Sequence, residues 1–135
     1  MIPIFFIYSD LALFVLRLGF AVIFLAHGWP KIKNLQATFK NFNAMGFKPG
    51  FFWGFVAAVV EFCGGILIAL GLFTQLAAFF LAITMLVAMV WKIKNKHALA
   101  GGYEFDLILF LVAIILWTHG AGAYSLENYW QIWLL

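Results

Sequence analysis

The sequence predicts an all-α membrane protein, a four-transmembrane-helix bundle with a short amphipathic interfacial helix between helices 1 and 2. Three observations carry this. The chain is 67% hydrophobic and 10% charged, against about 45–50% and about 25% in an ordinary soluble domain. Its apolar residues fall into four runs of near-membrane length, and its basic residues collect between those runs. With 135 residues, the chain is one integral membrane domain, 1–135, because four spans of about 20 residues each leave no room for a catalytic domain outside the lipid.

The first span is 11–29, broken only by Arg17 and His27. It reads as a transmembrane helix rather than a cleaved signal peptide, since no basic stretch precedes it and no small-x-small site follows. Residues 30–50 open with Pro30 and close with the turn signal Lys48-Pro49-Gly50. Between them Leu35, Phe39, Phe42 and Met45 recur at helical spacing, with Asn34, Gln36, Lys40 and Asn41 on other faces, the pattern of an interfacial helix. The second span is 51–72. Phe73-Thr74-Gln75 is long enough only to reverse direction, so the third span, 76–91, is its antiparallel neighbour. Lys92, Lys94, Lys96 and His97 close that span, and Gly101-Gly102 leads into the fourth, 103–119, which Gly120-Ala121-Gly122 stops. Tyr124, Tyr129, Trp130 and Trp133 then mark a tail at the membrane interface.

Four spans put both termini on one side. Seven of the eight basic residues lie in the 30–50 and 92–102 connections, on the other side. The positive-inside bias therefore makes those loops cytoplasmic and both termini external. Topology accounts for the net charge of +3 without nucleic acid, for which a soluble basic patch would be needed. Cys63 is the only cysteine, which excludes an intramolecular disulfide, a CxxC pair and a cysteine zinc cluster within one chain. The 20% aromatic content suits lipid contact and interface anchoring, although aromatic-walled clefts draw on the same residues.

An ionisable side chain at a helix centre costs about 2.5–3.5 kcal/mol on insertion scales, so it faces a partner or a watery cavity. Arg17 and Glu61 are the deepest. Counted at about 1.5 Å per residue from Trp29 and Phe51, they lie roughly 18 and 15 Å in, which predicts an ion pair between them. Asp10, two turns before Arg17 on the same face, is the alternative partner. Gly54, Ala58, Gly65 and Ala69 share the face of Glu61, so Glu61 points into the bundle. A second cluster is expected at the cytoplasmic end: His27, Lys31, Glu104 and Asp106, with His97 nearby. A carboxylate and a histidine at one depth suit proton relay or a polar ligand, while Glu104 also suits a helix N-terminus by charge alone. No pair of ligands has a metal-binding spacing such as HExxH, so no metal site is expected. His119 is read as a helix-end residue and Cys63 as a small packing residue on another face.

In order along the chain, Leu16-Arg17-Leu18-Gly19, His27-Gly28-Trp29-Pro30-Lys31, Glu61-Phe62-Cys63-Gly64-Gly65 continuing to Gly71-Leu72-Phe73-Thr74, and Gly101-Gly102-Tyr103-Glu104 resemble the pattern of the DoxX family of small bacterial membrane proteins. The tail from Gly120 to Glu127 also resembles the family's ending, with Ala121 where a Pro and Glu127 where an Asp are common. Gln75 stands where the family often has Arg. The resemblance implies a four-helix bundle in a bacterial inner membrane and a link to redox or oxidative-stress membrane complexes, the family being named for similarity to a subunit of a thiosulfate:quinone oxidoreductase.

The leading functional expectation is an accessory or membrane-anchor subunit of a redox complex, binding a quinone or a soluble redox partner protein. Its interior polar site would draw on Arg17, His27, Lys31, Glu61, Glu104 and Asp106, with electrons supplied from elsewhere. A small transporter or proton-coupled permeation unit, working as a homo-oligomer through an opening Arg17–Glu61 pair, is the alternative. A non-catalytic assembly scaffold, whose charges only set helix register, is the third.

Overall fold

The computed structural model describes residues 6–130. After one 3-10 turn (Phe6–Tyr8), the helices are α1 (Ser9–Lys33), α2 (Leu35–Ala44), α3 (Gly50–Leu70), α4 (Thr74–Lys94), α5 (Glu104–His119) and the short α6 (Leu126–Trp130). No strand occurs among the described residues. Four helices, the last counted from Leu99, are long and apolar enough to cross a membrane. The fold is therefore the expected all-α bundle of a multi-pass membrane protein. Trp133 lies outside the described residues.

α1 runs to Lys33, four residues past the expected end at 29, and carries Pro30 inside its last turn. Proline removes one donor there, while its own carbonyl accepts from Asn34 N at 3.1 Å. The Asn34 side chain then caps α2 through Ala37 N at 3.1 Å. α2 has the expected two faces: Leu35, Phe39 and Phe42 are half-buried, whereas Gln36, Lys40 and Asn41 are exposed. Its inner face packs on the first turns of α3, where Gly54 makes room for Thr38 and Phe39.

α1 packs along α3, α4 along α5, and α3 against α4, whereas α1 and α5 meet sparsely. The core is apolar and contributed by all four long helices: Phe20 and Phe24 from α1, Ile68 from α3, Leu81 from α4, and Leu109 and Leu116 from α5. Small residues bring α1 and α3 close. A Cβ on Gly28 would lie 2.7 Å from Phe62 N, and one on Gly65 would lie 3.2 Å from Leu25 N. Gly54, Ala58, Glu61 and Gly65 are buried, as their shared stripe predicts, and Cys63 is exposed on another face. At its far end α3 stops at Gly71, whose φ of +68 is the left-handed cap that glycine favours.

Candidate functional site

The interior charges separate into two groups at opposite ends of the bundle. At the lysine-rich end, Glu61 is 4% exposed and Lys31 Nζ lies 2.6 Å from its Oε1 and 2.5 Å from its Oε2. Lys92 Nζ lies 2.6 Å from Asp106 Oδ2, a charge contact rather than an aligned hydrogen bond. Glu104 accepts from Gly101 N at 2.9 Å, ordering the turn before α5. His27 is exposed, its ring 6.2 Å from that of Phe105, and His97 is exposed with its ring 6.0 Å from Trp91.

Arg17 is elsewhere, and the expected Arg17–Glu61 pair does not form. Gly28 faces Phe62 and Gly65 faces Leu25, so Glu61 stands level with Trp29. Arg17, twelve residues earlier on α1, is about 18 Å away along the axis. The count from Trp29 and Phe51 erred because the first turns of α3 pair with α2, not with α1. Asp10 is not its partner either, since its Oδ1 accepts from Ala123 N at 3.3 Å.

The guanidinium of Arg17 is 1% exposed and is gripped by the segment after α5. Nη1 donates to Ala121 O at 2.5 Å and Nη2 to Tyr124 O at 2.6 Å, while the Phe14 ring centroid lies 5.3 Å from Cζ. Nε is buried and has no hydrogen-bond partner among the described residues. Glu127 fastens the same segment to the α3–α4 turn: its Oε1 accepts from Thr74 N at 2.6 Å and its N donates to Gly71 O at 3.0 Å. The packing leaves no spare space at Gly71, where a Cβ would lie 2.5 Å from Ser125 Cβ and 3.1 Å from Arg17 Cζ.

Beside this clamp lies a groove of about 450 Å³. Its walls are Phe14 and Arg17 of α1, Ala69 and Leu70 of α3, and the tail residues Tyr124, Leu126 and Asn128 among others. A largely apolar slot with an arginine and exposed tyrosine and asparagine side chains on its wall suits a ligand with a polar group at one end and an apolar body. Among the described residues no three His, Cys, Asp or Glu side chains converge on a possible metal site.

Of the residues singled out in the sequence, the structure joins Lys31 to Glu61, holds Asp106 against Lys92, and leaves Arg17 apart from all of them. The residues that complete the Arg17 environment, Thr74, Tyr124, Ser125 and Glu127, are not among the site residues the sequence suggests. The tail pattern from Gly120 to Glu127 signals that the chain turns after α5, but not that its carbonyls meet Arg17.

The DoxX family model matches residues 12–93. The chain is 29% identical over 120 residues to a Bacillus subtilis protein, CatD, whose name places it provisionally among oxidoreductases; the match covers 89% of this chain and 87% of that one. It is 33% identical over 126 residues to a Haemophilus influenzae protein that carries no functional name, covering 90% and 92% of the two chains. It is 30% identical over 122 residues to the Escherichia coli inner membrane protein YqjF, covering 89% and 92%. No solved structure is matched.

Proposed function

This chain belongs to the DoxX family, and from that premise we propose that it is an accessory membrane subunit of a quinone-linked redox complex, holding a quinone head group in the groove at Arg17. The observation that carries the reading is the groove itself, whose walls combine Arg17 with the aromatic rings of Phe14 and Tyr124. Phe14, Leu70 and Tyr124 supply the apolar and aromatic walls that the ring and the start of its tail need. The name given to the Bacillus subtilis relative points the same way.

In this reading the protein positions the quinone while a partner protein supplies the electrons. By the positive-inside bias its seven loop lysines favour a cytoplasmic lysine-rich end, and in this reading the groove would then face the outer side of a bacterial inner membrane. A permeation unit built on an Arg17–Glu61 pair has no such pair to open.

The test is binding of a short-tailed benzoquinone to purified protein in lipid nanodiscs, comparing wild type with Leu70→Trp. Leu70 is 46% exposed and lines the groove, so tryptophan there fills the slot without touching the Arg17 bonds. Saturable binding that weakens at least about ten-fold in the variant, a difference of about 1.4 kcal/mol, supports the site. A well-folded wild type that binds no quinone removes it, and quinone reduction by the isolated protein without a partner removes the accessory role.

A further inference from the structure

We propose that the lysine-rich end of the bundle carries a binding site for an anionic phospholipid headgroup, formed by Lys48, Lys94 and Lys96 where the α2–α3 turn meets the end of α4. The site lies at the opposite end of the bundle from Arg17 and does not rest on the quinone reading of the groove there.

Two local features bring these lysines to one edge. Trp91 Nε1 donates to Met45 O at 2.8 Å, tying the end of α4 to the end of α2. Lys48 follows Met45 by three residues and Lys94 follows Trp91 by three, so both flank that bond. Just past α4 the chain folds back on itself: Lys96 N donates to Ile93 O and His97 N to Lys92 O, each at 3.0 Å. The turned-back His97 ring lies 6.0 Å from that of Trp91. Closing this turn holds Lys96 at a φ of +59, the left-handed position that favours glycine. Gly71 and Gly120 take the positive-φ positions that end α3 and α5. A lysine held where glycine would fit better is an outlier of the kind that marks a functional constraint, and what it adds here is a third cation at the same edge.

The charge at this edge is not balanced within the protein. Of the chain's five carboxylate side chains, Asp10 and Glu127 lie at the Arg17 end. Glu61 is held by Lys31, Asp106 by Lys92, and Glu104 by the Gly101 amide. Lys48, Lys94 and Lys96 are exposed and make no salt bridge among the described residues. Like charges gathered without a counter-ion repel, so an external anion is favoured there. The neighbouring surface makes that anion a lipid rather than an acidic protein. Phe51, Phe52 and Trp53 follow Lys48 within two turns and are exposed. Exposed rings next to exposed lysines mark the level at which headgroups give way to acyl chains. A soluble acidic partner would meet the lysines and leave the rings in the bilayer, whereas a phospholipid offers a phosphate to the one and chains to the other.

The experiment titrates purified protein in a non-ionic detergent with dioleoyl phosphatidylglycerol and, separately, with dioleoyl phosphatidylcholine, which has the same chains and no net charge, and reads bound lipid by native mass spectrometry. The expected result is binding of phosphatidylglycerol at least about ten-fold tighter than of phosphatidylcholine. Lys48→Gln with Lys94→Gln should weaken it at least about ten-fold, whereas Lys33→Gln with Lys40→Gln, which removes the same charge elsewhere on that end, should change it less than about three-fold. Lys96→Gly suits the left-handed cap, so it should fold at least as well as wild type and still bind phosphatidylglycerol more weakly. Equal binding of the two lipids overturns the proposal and leaves these lysines to an acidic protein or to topology alone. Equal losses in the two double variants overturn it as well, because the attraction is then spread over the whole end and has no site. Full affinity in a well-folded Lys96→Gly overturns the place of Lys96 in the site.

Discussion

Lys31 and Glu61 form an ion pair whose two ends differ in exposure: the lysine side chain is 30% exposed and the carboxylate 4%. Lys31 sits in the last turn of α1 and Glu61 near the middle of α3, so the cation reaches inward from the membrane edge to a carboxylate already buried. Removing one partner is therefore not equivalent to removing the other. Lys31→Met leaves a buried carboxylate that must protonate or remain unpaired, a loss on the order of 3–5 kcal/mol. Glu61→Gln leaves a lysine long enough to turn outward, and its cost should be smaller by about 1–2 kcal/mol. Equilibrium unfolding in mixed micelles checks the order, and equal losses would place both charges in the same environment.

The neighbouring glycines give a sharper contrast. A Cβ on Gly28 would meet the Phe62 backbone at 2.7 Å, whereas one on Gly19 meets nothing within 4 Å. Gly28→Ala should force α1 and α3 apart and cost about 2–3 kcal/mol, in the range of overpacking. Gly19→Ala, in the same helix, should be neutral or stabilise by up to about 1 kcal/mol through helix propensity. Thermal denaturation of the two variants side by side reads the difference, and similar melting temperatures would show that the α1–α3 contact is loose.

How far the sequence went is visible in α1 and α3. The stripe of Gly54, Ala58 and Gly65 told which way Glu61 points, because a helix face follows from local spacing alone. It did not tell which residue Glu61 meets. That depends on how far one helix slides along another, and here α2 takes up the first turns of α3, displacing the partner of Glu61 from Arg17 to Lys31. The amphipathic α2 was legible as an element, but its docking on α3, which sets that slide, is a tertiary fact. The surroundings of Arg17 were illegible for a different reason: they are backbone carbonyls of Ala121 and Tyr124, more than a hundred residues away, and a carbonyl has no residue type to read.

Because those carbonyls are held by a planar fork, charge alone should not replace Arg17. Arg17→Lys keeps the cation but cannot span Ala121 O and Tyr124 O with the same geometry. We expect a loss of about 1.5–3 kcal/mol, the range for a hydrogen bond to a charged group. The loss should be local, appearing as faster amide exchange at Glu127, Asn128 and Tyr129 with the amides of α4 unchanged. Uniform acceleration across the bundle would mean that Arg17 supports the whole fold rather than the tail.

Thr74 supplies the opposite case. It is fully buried in the first turn of α4, its backbone N–H is bonded to Glu127, and its hydroxyl has no partner among the described residues. Valine has nearly the same shape and carries no polar group to bury. Deleting a buried hydroxyl ordinarily destabilises because its partner is left alone, but here no partner is orphaned, so Thr74→Val should leave stability unchanged or raise it by up to about 1 kcal/mol. The valine variant should also keep the amide of residue 74 protected, since the Glu127 bond runs to the backbone. Denaturant unfolding in micelles distinguishes the cases. A loss above about 1 kcal/mol would show that the hydroxyl holds a bridging water or ligand in the folded protein, and repeating the measurement with saturating quinone would identify which.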